Sequence, residues 1–329
     1  MNQVAVILNS VTLYWYSIVL ALAAVAGSCF FLACCAHVGI RATTSAASVL
    51  LSVVFSLVLS RLIYWYCRPF SFADWRQALT APATTCHALL GAFAGCLLAA
   101  LLLKQSAGGL PGLLDCMSTA GCGAIALGRL AFFFADGDRG RVLTAATRLP
   151  WAYPILDPGS GLPEYRLATF LFQSAIAGVL FVVLAVLFFA PGIRKRIKSG
   201  GITLLFAMVY SACQVILDST RYDSLYLRSN GFVSLVQILA AVTLALTILI
   251  CSIRAAKARG VKKWMVATWL LIPCLFGGAG YMEYYVQRHG KLAAFGYSIM
   301  GLCLVGILVL GFPLWRTAQQ NTDKESALT

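Results

Sequence analysis

LATFLFQSAIAGVLFVVLAVLFFA, residues 167–190, followed by PGIRKRIK, residues 191–198, decides the fold. The first string carries no charged residue. It is long enough to cross a bilayer core of about 30 Å, which takes about 20 apolar residues. The second string presents Arg194, Lys195, Arg196 and Lys198 within five positions. An apolar run that ends in a dense basic cluster reads as a membrane span whose trailing end faces the cytoplasm.

Eight more runs of the same kind surround it. The spans are expected near 14–38, 44–66, 83–103, 112–134, 167–190, 202–219, 232–253, 264–282 and 293–314. At about 20 residues each, nine spans use roughly 180 residues. The rest of the 329-residue chain is then short loops, with no room for a large soluble domain. Composition agrees: 60% of the residues are hydrophobic and 11% charged, and the mean hydropathy is +0.85. A soluble domain carries about 45–50% apolar and about 25% charged residues. A water-soluble globule, a disordered chain and a secreted disulfide scaffold are excluded. The expected fold class is an all-α polytopic membrane protein of about nine transmembrane helices.

The basic residues orient it. With the N-terminus outside, the inner loops hold Arg41, Lys104, the 194–198 run and a second run of Arg254, Lys257, Arg259, Lys262 and Lys263. Arg316 and Lys324 follow near the C-terminus, on the same side. The outer segments mix signs, and the longest, 135–166, sets Arg139, Arg141, Arg148 and Arg166 against Asp136, Asp138, Asp157 and Glu164. This asymmetry predicts N-out, C-in. The net charge of +14 then reports topology and anionic lipid rather than nucleic acid. Pro150, Pro154, Pro158, Pro163 and Gly159-Ser160-Gly161 predict that 135–166 forms a compact irregular cap. Residues 1–13 are uncharged, so no cleavable signal peptide is expected. Almost all of the 12 cysteines lie in apolar runs. Cys67 and Cys86 flank one short outer loop, and whether they pair is left open. No CxxC or Cys/His cluster suggests a metal, so no metal or organic cofactor is expected.

Ionisable groups inside a membrane are costly and point to function. Here they share one depth, near the outer headgroups: Tyr16, Arg61, His87, Arg129, Gln214, Asp218, Arg221 and Gln237 come from six spans. An ion or solute path would place charge near the midplane, and no internal repeat supports a transporter. The layer suits binding of a lipid headgroup, or chemistry on one. Taken singly, each arginine also fits a side chain that snorkels to phosphate. His87 precedes Gly91 and Gly95, a small-xxx-small pattern for close helix approach. Gly121, Gly123 and Gly128 lead up to Arg129, and either tight packing or room for a lipid explains them. Asp218 and Arg221, three apart, can pair on one helix face. Trp15, Tyr64, Trp65, Tyr66 and Trp75 read as an interfacial aromatic belt.

Across residues 10–250 the order of these motifs resembles the prolipoprotein diacylglyceryl transferase family. Val11 to Tyr16 resembles its opening and Ser60-Arg61-Leu62-Ile63-Tyr64 its Gly-Arg-Leu-Gly-Tyr stretch. His87 is similar in position to its His-Gly-Gly histidine, and Leu113-Leu114-Asp115 through Gly128-Arg129 to its Asp-to-Gly-Arg helix. Gly140-Arg141 matches the end of that signature, and Tyr210, Asp218, Arg221, Asp223 and Gln237 follow the later helices. The chain departs from the pattern at Gln214, where the family has Arg, and at Phe132, where it has Asn. Ala88-Leu89 replace the glycines after the histidine, and Ala135-Asp136-Gly137 replace Asn-Gly-Glu.

The resemblance implies a bacterial inner-membrane enzyme that moves a diacylglyceryl group from phosphatidylglycerol to the lipobox cysteine of a prolipoprotein. By residue it implies His87 as base or orienting group, Arg129 as the main phosphate cation and Tyr16 as a headgroup partner. Arg61, Tyr210, Gln214, Asp218, Arg221, Gln237 and Gly140 are the expected substrate-binding residues. The alternative is a paralogue that binds phospholipid or lipoprotein without transfer, because glutamine lacks arginine's fixed charge and planar fork. Residues 1–253 are the expected seven-span core with its cap, and 254–329 a two-span extension with a short cytoplasmic tail.

Overall fold

A computed structural model describes residues 4–8, 11–80, 88–143, 151–156, 161–226, 233–289 and 292–320. Among the described residues, eight helices are long and apolar enough to cross a membrane: α1 (Trp15–Val38), α2 (Ala42–Cys67), α5 (Leu110–Arg129, extended by a 3-10 turn to Phe134), α6 (Thr169–Phe189), α8 (Gly201–Ser219), α9 (Leu235–Arg259), α10 (Lys263–His289) and α11 (Ala293–Ala318). α4 (Leu89–Leu103) is apolar but shorter, and two short helices are α3 (Trp75–Thr80) and α7 (Pro191–Arg194). The protein is thus an all-α polytopic membrane protein, as its run lengths predict. The third expected span, 83–103, begins at Leu89 in the structure, and residues 81–87 lie outside the described residues.

The long helices are turned inside out relative to a soluble bundle. Leu50, Val179, Leu270 and Leu302 are each at least 65% exposed. Ser45, Ser48, Thr119 and Gln173 are buried. Apolar side chains outward and polar side chains inward are what a hydrocarbon solvent selects.

The chain divides into two compact units, Met1–Val182 with Thr220–Ser229, and Val183–Ser219 with Asn230–Thr329. In the first, β1 (Val4–Leu8) and β2 (Val11–Tyr14) form an antiparallel hairpin that leads directly into α1. This hairpin was not expected from the sequence. α2 and α4 pack closely because Gly91 and Gly95 lack side chains. A Cβ at Gly91 would lie 2.2 Å from Ser60 Cα, and one at Gly95 2.4 Å from Ser56 N. Ala88 N donates to Ser60 O at 3.2 Å and Ser56 Oγ to Ala92 O at 3.0 Å across the same seam. Gly95→Leu should therefore cost about 1–3 kcal/mol or more by overpacking. Gly121→Ala, with open space around the new Cβ, should be near neutral. Thermal unfolding in detergent compares the two, and equal midpoints would refute the close-packed seam.

The cap is more regular than its proline content predicts. β3 (Ala152–Leu156) and β4 (Pro163–Leu167) pair antiparallel, with Ala152 opposite Leu167 and Leu156 opposite Pro163. Residues 140–143 run along the other edge of β4, since Gly140 N bonds Leu167 O at 2.7 Å and Leu143 N bonds Tyr165 O at 2.8 Å.

In the second unit α8 packs against α9 and α11, and α10 pairs with α11. α9 opens with a capping box, Ser234 and Gln237 each accepting the other's backbone N–H. Of the apolar windows of the eight long helices, that of α8 is 67% buried, against 39% or less for the others. α8 is the helix most enclosed by protein.

Candidate functional site

Arg129 ends α5. The 3-10 turn Leu130–Phe134 follows, and the chain then reverses so that Asp138 comes back over the helix end. Asp138 sits at φ 58°, in the left-handed region that aspartate tolerates better than most residues. Its carboxylate joins two cations. Arg129 Nη1 donates to Oδ2 at 2.6 Å, and Arg221 Nε lies 2.8 Å from Oδ1. Arg221 also donates through Nε and Nη2 to Asp223 Oδ1, at 3.1 and 3.0 Å. The ring closes where Asp138 N donates to Asp223 Oδ2 at 2.8 Å. Arg68 Nη2 adds a bond to Asp223 O at 3.1 Å. Burial pushes the Asp223 carboxyl up, but Arg221 and the Asp138 N–H outweigh it and hold the group below the usual carboxylate range.

The cap seats this ring. Arg139, only 1% exposed, donates through Nη2 to Phe132 O at 2.7 Å and Ala135 O at 2.8 Å. Its guanidinium lies 4.0 Å from the Tyr153 ring and 4.5 Å from the Phe170 ring. Burial pushes its pKa down, while Tyr153 and the nearby aspartates favour its charge. Arg139 thus pins the 132–139 turn to both β3 and α6. Tyr222 N donates to Arg139 O at 2.8 Å and brings the 220–223 segment to the same turn. A Cβ at Gly140 would lie 2.7 Å from both Leu167 Cβ and Thr169 Oγ1, so only glycine fits. The visible role of Gly140 is this close backbone approach.

Of the other expected residues in this unit, Tyr16 is buried in the first turn of α1. It meets Phe132 edge-on at 5.3 Å and packs against Ala131 and Ala135, just beyond Arg129. Phe132 also lies 5.8 Å from the Arg129 guanidinium. Arg61 donates to Ala78 O at 3.0 Å and ties α3 to α2. His87 lies outside the described residues, as does Cys86.

Tyr210, Gln214, Asp218 and Gln237 belong to the second unit, and all four are buried. Tyr210 stacks on Phe206 at 5.2 Å. Asp218 Oδ2 accepts a short hydrogen bond from Ser234 Oγ. The Gln237 amide accepts from Ser234 N at 3.0 Å and donates to Val215 O at 3.2 Å, so it fixes the start of α9 to α8. Among the described residues no group of three or more His, Cys, Asp or Glu side chains could hold a metal ion.

The sequence reading left Asp138, Asp223 and Arg139 out of the site. Asp223 was visible in the motif order, whereas Asp138 was one acid among four in the cap. Its signal was the preceding Gly137, which marks a turn, at a separation from Arg129 short enough for a return. Arg129 and Arg221 pair with the carboxylates of Asp138 and Asp223, and Arg68 bonds the Asp223 carbonyl. Two guanidinium groups, held at a helix end by the buried Asp138 and the half-buried Asp223, suit an anionic phosphate.

A family model described as prolipoprotein diacylglyceryl transferase matches residues 3–253. A phosphatidylglycerol–prolipoprotein diacylglyceryl transferase from Synechocystis is 35% identical over 121 residues. That match covers 35% of this chain and spans 41% of the relative's length.

Proposed function

Because the chain belongs to the prolipoprotein diacylglyceryl transferase family, we propose that it transfers a diacylglyceryl group from phosphatidylglycerol to the lipobox cysteine of a prolipoprotein. The carrying observation is the ring of Arg129, Asp138, Arg221 and Asp223 at the end of α5. In the reaction the cysteine thiolate attacks the diacylglyceryl carbon that bears the phosphate ester. A carbon–sulfur bond forms, the carbon–oxygen bond breaks, and glycerol-1-phosphate leaves with the electron pair. Two needs follow: a base for the thiol proton, and cations for the leaving phosphate.

Arg129 is the proposed main phosphate cation, with Arg221 and Arg61 in support and Tyr16 as headgroup partner. His87 is the proposed base or orienting group, on the family resemblance. Tyr210, Gln214, Asp218, Gln237 and Gly140 are proposed substrate contacts on the same ground, and Gly140 also lets its segment approach Leu167 and Thr169 closely. The reaction as proposed uses no metal or organic cofactor. The protein would lie in the bacterial cytoplasmic membrane, N-out and C-in, with no nucleic-acid partner.

A second reading keeps the lipid site without the chemistry. It is favoured by Phe132, whose apolar ring stands beside Arg129 and Tyr16 where the family carries asparagine. The deciding experiment reconstitutes the protein in phosphatidylglycerol vesicles with a lipobox peptide and reads the cysteine's mass. A gain of one diacylglyceryl group is expected. No gain with retained lipid binding would replace the transferase with the binding paralogue.

A further inference from the structure

The helices beyond the family-matched region, α10 and α11, hold α8 at both ends. At its C-terminus, Ser219 Oγ donates to Glu283 Oε2 at 2.5 Å, and Tyr297 OH donates to the Ser219 carbonyl at 3.1 Å. That carbonyl is one of the last in the helix and has no partner within it. Gln287 Nε2 donates to the second Glu283 oxygen at 2.9 Å. At the N-terminus of α8, Trp315 Nε1 donates to Gly201 O at 2.8 Å, and Gln319 Oε1 accepts from Lys198 N at 3.1 Å. The Tyr297 and Trp315 contacts are equally spaced on both helices, about 27 Å apart at 1.5 Å per residue. α11 therefore runs antiparallel to α8 in a matched register, fastened at each end.

Glu283 is only 4% exposed. A carboxylate in a membrane helix is costly, and an apolar side chain would pack α10 at less expense. What an apolar side chain cannot do is accept from Ser219. Ser219 directly follows Asp218, whose carboxylate receives Ser234 Oγ from the start of α9. The last turn of α8 is thus gripped by α9, α10 and α11 together.

We propose that α10 and α11 brace α8, and that Glu283 and Tyr297 are positioning residues acting through Ser219 on the orientation of Asp218. The kinetic arm of the test rests on the transferase reading, and the structural arm stands without it. The structural arm measures amide hydrogen exchange in detergent for full-length wild type, Glu283→Leu, Glu283→Gln and Ser219→Ala. In Glu283→Leu and Ser219→Ala, exchange at residues 216–219 should rise about tenfold, the equivalent of one hydrogen bond. Exchange in the middle of α9 should stay at the wild-type rate. Glu283→Gln should stay near wild type, since its amide oxygen still accepts from Ser219.

In the transfer assay Glu283→Leu should lower kcat/KM for phosphatidylglycerol about tenfold, again one hydrogen bond's worth, with Glu283→Gln rescuing most of it. Unchanged exchange in both Glu283→Leu and Ser219→Ala overturns the brace, and so does a Glu283→Gln variant as impaired as the leucine. If Glu283→Leu does not fold, Ser219→Ala alone decides, since it removes the donor without crowding the site. A wild type that makes no product sinks the transferase reading and leaves the exchange result to decide the brace.

Discussion

Asp138→Ala will destabilise the protein by about 3–5 kcal/mol, the range for removing one partner from a buried ion pair. Asp138 is fully buried and faces Arg129 and Arg221, whose side chains are 9% and 14% exposed. Its removal takes the carboxylate away from Arg129 and leaves Arg221 paired with Asp223. The cap turn would lose one of its links to the end of α5 as well. Asp138→Asn separates charge from shape. Asparagine also tolerates the left-handed backbone at this position, and it still accepts one hydrogen bond, so its loss should be smaller than that of alanine. Thermal unfolding in detergent, with limited proteolysis of the 151–167 cap, measures both. Stability and cleavage unchanged in Asp138→Ala would show that the ring does not hold the cap.

The spans were legible because each is a long run with almost no charge, a signal that needs no tertiary knowledge. Two features at the same level were not. The β1–β2 hairpin was hidden inside an apolar lead into the first span, although Asn9-Ser10 separates two short β-prone runs. Glu283 lies one residue past 282, the expected end of the eighth span, whereas α10 runs on to His289. The site was legible on its cationic side only. Arg129 and Arg221 stand out as charges at span ends. Their partner Asp138 lies in a loop, where spacing carries no periodicity, and its second link, to Asp223, joins residues far apart in the chain. Asp218 and Arg221 could pair by helical spacing, but α8 ends at Ser219. Arg221 engages Asp138 and Asp223, and Asp218 engages Ser234. A spacing rule predicts partners only as far as the helix continues.

Arg129→Ala should lower the transfer rate by about 10²–10³, the cost of removing one preorganised charge-stabilising donor from a site. The fold should survive, because Asp138 keeps Arg221 and the Asp223 contact to its backbone. A guanidinium has five N–H donors. Asp138 takes the Nη1 donor of Arg129 and sets the plane of the group. The same contact would orient the rest of the fork toward the proposed phosphate at the helix end. Arg129→Lys tests that geometry. A lysine keeps the charge but has no planar fork, so it should recover lipid binding more fully than it recovers rate. The comparison reads kcat/KM for phosphatidylglycerol together with vesicle binding. Alanine and lysine variants that are folded and as fast as wild type would remove Arg129 from the chemistry. The phosphate would then have to be held by the remaining cations of the ring, and Arg221→Ala would become the variant that abolishes transfer.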